Sequence, residues 1–70
     1  MKVCEASLEL QDLIMEYFDV SSEDEGRRGL FLDMGLYDVR GELMMSYHYE
    51  SLEDRKKSMK IIKMIDAIGL

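Results

Sequence analysis

The chain has 70 residues, 47% of them hydrophobic, a net charge of −6 and one cysteine, Cys4. A chain this short makes a single domain (1–70) burying only about 60% of the surface its unfolded form exposes; one cysteine excludes an internal disulfide, and no Cys/His cluster is present to hold structural zinc. The hydrophobic share argues against a disordered acidic tail, and with no apolar run of membrane-spanning length and no signal-peptide pattern, a cytoplasmic location without a membrane partner is expected.

The first predicted element is a helix starting at Cys4 or Leu8 and ending at Phe18. Glu5, Glu9, Asp12, Glu16 and Asp19 recur at alternating spacings of four and three, which puts them within a sector of roughly 80° on one helix face. Val3, Ala6, Leu10, Leu13, Ile14, Tyr17 and Phe18 take the opposite side, an apolar stripe to bury. Ser7 can cap a shorter helix, but both spacings extend upstream of it and favour the earlier start. No Lys or Arg lies between positions 3 and 26, whereas an ordinary solvated face mixes both signs. Like charges at i,i+4 oppose helix stability, so the anionic ridge calls for a reason other than folding.

A polar loop follows from Asp19 to Gly29, and Glu23, Asp24 and Glu25 extend the ridge. A calcium loop starting at Ser21 would place Glu23, Glu25 and Gly26 in register, but Ser21 is a poor first ligand and the twelfth position is Leu32 instead of Glu. Neither a metal site nor any other cofactor is expected.

Between Gly29 and Tyr49 the pattern approaches period two. Leu30, Leu32, Met34 and Leu36 alternate with other residues, as do Leu43, Met45, Tyr47 and Tyr49. Asp38-Val39-Arg40-Gly41 reads as a four-residue hairpin loop with Gly41 in a left-handed position. That register predicts an antiparallel hairpin whose core face carries those eight side chains, with Phe31, Tyr37 and Met44 on the other face as a contact surface. Glycines at 29, 35 and 41 weigh against a helix here. Ser51 then caps a second helix reaching about Ala67 and ending at Gly69, with Ile61, Ile62, Ile65 and Ile68 on one face and Lys56, Lys60 and Lys63 on the other. The expected fold class is α+β, helix-strand-strand-helix, with two amphipathic helices packed on the hairpin.

No catalytic constellation is present. His48 lies between two tyrosines without a pocket to serve, and there is no phosphate-cradling glycine loop, nucleophile elbow or Cys-x-x-Cys, so no enzymatic activity is expected. Charge is segregated instead: residues 1 to 54 carry −10 and residues 55 to 70 carry +4. Phosphate repulsion over most of the chain argues against direct nucleic-acid binding, and the lysine stripe lacks interleaved aromatics to stack bases.

The expectation is a stoichiometric binding protein presenting Glu5, Glu9, Asp12, Glu16, Asp19, Glu23, Asp24 and Glu25 to the basic groove of a protein partner such as a nucleic-acid-processing enzyme. Five charges over about 14 residues give one per roughly 5 Å of helix, near enough to the phosphate spacing of a single strand for electrostatic imitation. In composition the chain resembles phage-encoded inhibitors of the anti-restriction and anti-CRISPR type, which would place it in the host cytoplasm; no motif ties it to them. The alternative is a small self-associating structural or regulatory module. With so small a core, a homodimer or larger assembly is expected at micromolar concentration.

Overall fold

In the computed structural model, residues 1–69 are described. The protein is all-helical: a 3-10 turn at Val3–Glu5, α1 at Leu8–Tyr17, α2 at Glu25–Leu32, α3 at Leu36–Ser46, a second 3-10 turn at Tyr47–Tyr49, and α4 at Leu52–Ile68. Among the described residues there is no strand or sheet, only an isolated antiparallel bridge between Lys2 and Gly35.

The α+β expectation is therefore wrong, and the error lies between residues 29 and 49. Leu36, Val39 and Leu43 are buried within α3, at the i, i+3, i+7 spacing of one helix face. Leu36 and Leu43 satisfy the two-residue alternation as well, and in a short apolar-rich segment period cannot separate strand from helix. Val39 decides: the hairpin put it in an exposed loop, whereas it is fully buried. Leu30, Met45 and Tyr49, expected in the core, are exposed. Leu, Arg, Glu and Met dominate α3 and are strong helix formers that outweigh one glycine, while an isolated two-stranded hairpin is only marginally stable.

Gly41 sits in the interior of α3 without positive φ, and a Cβ added there meets no atom within 4 Å. Gly41→Ala is expected to stabilise the domain by about 0.5–1 kcal/mol, read as a raised denaturation midpoint. At a left-handed hairpin position the same change would destabilise, so its sign tests the fold.

The first helix starts at Leu8, later than the spacing suggested, because local polar groups stop it. Ser7 Oγ accepts from the Leu10 amide at 3.3 Å. The buried Gln11 amide donates to the carbonyls of Ala6 at 2.8 Å and Cys4 at 3.2 Å, holding those groups outside the helix. At its other end α1 closes with Asp19 in the left-handed conformation (φ 53°). The Val20 amide donates to Met15 O and the Asp19 amide to Glu16 O, the double bond of a Schellman terminus, and Val20 is buried beneath it.

The last helix follows expectation. Ser51 Oγ accepts from the Asp54 amide at 3.2 Å, and Gly69 ends the helix at φ 80°. Ile61, Ile62 and Ile65 are buried, whereas Ile68 at the end of the stripe is exposed. The core gathers Val3, Leu10, Ile14, Leu36, Val39, Leu43 and those three isoleucines, and α1 and α3 both pack against α4. Arg40 of α3 bonds Asp66 of α4 at 2.8 Å; that hydrogen bond, with the aspartate's charge, raises the Arg40 pKa above its ordinary value. No helix among the described residues is long and apolar enough to cross a membrane.

Candidate interaction surface

The eight acids singled out from the sequence are all exposed, but no single helix carries them. Glu9, Asp12 and Glu16 occupy the outer face of α1. Glu5 belongs to the first 3-10 turn, where its carboxylate accepts from the Lys2 amide at 3.0 Å. Asp19 terminates α1, Asp24 caps α2 by accepting from the Arg27 amide at 3.1 Å, and Glu23 and Glu25 flank that cap. Among the described residues only Glu16 of these eight makes an ion pair, to Lys57 of α4 at 3.5 Å. This exposed contact joins the acidic face to the basic helix within one molecule, and such pairs contribute little to stability. No three His, Cys, Asp or Glu among the described residues are grouped to hold a metal, and α2 runs through the stretch that a calcium loop would need.

The folding of residues 36–46 as a helix builds a feature that the hairpin reading hid. Glu42, Met45 and Ser46 lie at i, i+3 and i+4 on one face of α3, opposite Tyr17 and Phe18 at the end of α1. Together these five side chains line an open groove of about 480 Å³. The Tyr17 and Phe18 rings meet edge-on at 4.9 Å, and Phe31 of α2 backs Phe18 at 5.0 Å. Met45 is 79% exposed. Tyr37 and Met44, expected to share a face with Phe31, are exposed on α3, whereas Phe31 is partly buried against the core.

The two walls of the groove are tied together by a polar chain reaching into the core. Tyr17 Oη lies 3.4 Å from Ser46 Oγ, which donates to Glu50 Oε1 at 2.9 Å. Glu50 also faces the hydroxyl of the fully buried Ser58, which is 2.8 Å from both carboxylate oxygens and 2.9 Å from Asp54 O. Ser58 has one proton for three acceptors, so it serves them in turn and couples α4 to the α3–α4 connection. Arg55 reinforces that connection, donating to Tyr47 O at 3.0 Å and His48 O at 3.4 Å with its guanidinium 5.2 Å from the Tyr47 ring. His48 is itself exposed. Removing the buried donor by Ser58→Ala is expected to cost about 1.5–3 kcal/mol, the range for a hydrogen bond to a charged group, measured by urea denaturation.

Sequence reasoning anticipates the exposure of the acids because charge at a surface needs no fold to be recognised. The groove is hidden from it because the two-residue alternation places Met45 in a sheet core; the signal that reveals it is the helical spacing of Leu36, Val39 and Leu43. The chain matches no protein-family model, no curated protein and no solved structure.

Proposed function

We propose that the protein is a non-enzymatic, stoichiometric binding protein whose acidic surface, formed by α1 and the α1–α2 connection, occupies a basic groove on a partner protein, with inhibition of a nucleic-acid-processing enzyme as its effect. The observation that carries this reading is that seven of the eight acids lack an ion pair among the described residues. Glu9, Asp12 and Glu16 place three charges along about 10 Å of helix, and their i,i+4 and i,i+3 repulsions oppose helix stability, as expected of a face whose compensation comes from a partner. The electrostatics favour fast encounter with a basic surface and exclude acidic competitors.

The experiment is capture of the partner from the native host, followed by titration of purified components across salt concentrations. Exposed charges lose their reach as the Debye length falls from about 10 Å at 0.1 M to about 3 Å at 1 M, so affinity should drop steeply over that interval. A salt-independent affinity would overturn the reading. The exposed Tyr37, Met44 and Met45 favour a second reading, a self-associating module. That one requires a molecular mass that rises with protein concentration and persists in high salt.

A further inference from the structure

We infer that the groove between the end of α1 and α3 is the anchor pocket for the same partner, taking an apolar side chain from a basic, amphipathic helical segment whose Lys or Arg meets Glu42. The inference rests on the acidic-surface reading and names what that surface alone does not supply. Rim charges govern association rate and salt dependence, whereas affinity concentrates in a few apolar or aromatic anchors seated in desolvated pockets.

The groove has the composition of such a pocket. Tyr17, Phe18 and Met45 provide apolar and aromatic walls, and Glu42 and Ser46 provide the polar groups. Its size lies within the range of ligand-holding clefts. The aromatic wall is held by Phe31 behind it and by the Tyr17–Ser46–Glu50 chain, so little ordering is required on binding. Met45, on the opposite wall, is a flexible thioether able to conform to different side chains.

The sign of the occupant's charge follows from the surroundings. Glu42 has no ion pair among the described residues, Asp19 follows Phe18 in the chain, and the C-terminal carbonyls of α1 add the negative end of its dipole. The Arg27 guanidinium donates to Phe18 O at 3.4 Å and answers part of that negative end, which leaves Glu42 as the groove carboxylate open to a cation. A second copy of this chain fits poorly. Its own basic helix, α4, has Ile61, Ile62 and Ile65 committed to the core, and its exposed Leu52, Met59 and Ile68 stand seven or more residues apart and offer no pair of anchors at i and i+3.

Three synthetic 16-residue helical peptides test the assignment by methyl NMR of the methionines and by fluorescence anisotropy at low salt. The first combines lysines with leucines at i and i+3, the second replaces its leucines by alanine, and the third replaces its lysines by glutamate. The Leu/Lys peptide is expected to shift the Met45 methyl signal and bind at least tenfold tighter than the Ala/Lys peptide, the Leu/Glu peptide binding weakest. Met45→Ser should remove the leucine advantage, and Glu42→Gln should weaken the Leu/Lys peptide severalfold. Equal binding of the Leu/Lys and Ala/Lys peptides overturns the pocket while sparing the acidic surface; no binding of either lysine peptide overturns both. Leu/Glu binding as tight as Leu/Lys overturns the assigned charge, and a Met45 signal that moves with protein concentration alone gives the groove to a second copy instead.

Discussion

Val39→Asp is expected to unfold the domain, while Met45→Asp leaves it folded. The two positions lie six residues apart, and the helical and hairpin arrangements assign them opposite environments. In α3, Val39 is fully buried among Leu36, Leu43 and the α4 isoleucines, and Met45 faces solvent. A carboxylate at 39 has no basic partner in that cluster, and the effective penalty for an uncompensated buried ion is several kcal/mol. A 70-residue domain has roughly 4–10 kcal/mol in total, so the substitution consumes most or all of it. Loss of the cooperative melt and of helical circular dichroism for Val39→Asp, beside a midpoint within about 0.5 kcal/mol of the parent for Met45→Asp, is the expected pair of results. The reverse pair would restore the hairpin.

The second large effect concerns binding. Reversing Glu9, Asp12 and Glu23 to Lys should weaken partner binding at least a hundredfold, about 2.7 kcal/mol, without loss of the fold. The structure dictates this choice. Glu16 is spared because it pairs with Lys57, Asp24 because it caps α2, and Asp19 because it closes α1 in the left-handed conformation. Asp12→Lys turns a repulsive i,i+4 relation with Glu16 into an attractive one, whereas Glu9→Lys places a cation in the first turn at a cost of about 0.3–1 kcal/mol. These opposing local effects keep the net change in stability small, so lost binding reports on the contact. Reversing Lys56, Lys60 and Lys63 to Glu is the control. If that variant loses binding and the acid reversal does not, α4 is the functional face and the acids serve only solvation.

The terminal helices were legible because each carries its own punctuation. Ser51 and Gly69 bracket α4, and a buried stripe at helical spacing lies between them. Ser7 was legible as a cap as well, but the acidic periodicity continued through Glu5 and hid the break that Gln11 enforces by binding the carbonyls before it. In the middle of the chain, Leu36 and Leu43 fit both periods, and Gly41 can serve a turn or be tolerated in a helix. What settles that conflict is the surface α4 offers to Val39, a tertiary fact that no local window contains. The exposure of the acids survived the change of fold, while their arrangement did not, since Glu5 and Asp24 are tied to backbone amides that a continuous ridge would have left free.

The packing of α1 against α4 also sets a schedule for synthesis. Leu10 and Ile14 leave the ribosome about fifty residues ahead of Ile61 and Ile65, a delay of roughly 3–10 s at typical elongation rates of about 5–20 residues/s. During that interval α1 has no α4 to cover its apolar side, and a helix of ten residues is barely stable alone. The nascent chain therefore stays open to chaperones and proteases until Ile61 and Ile65 are in place. An interrupted translation product ending before residue 61 lacks the buried isoleucines and should be cleared instead of accumulating.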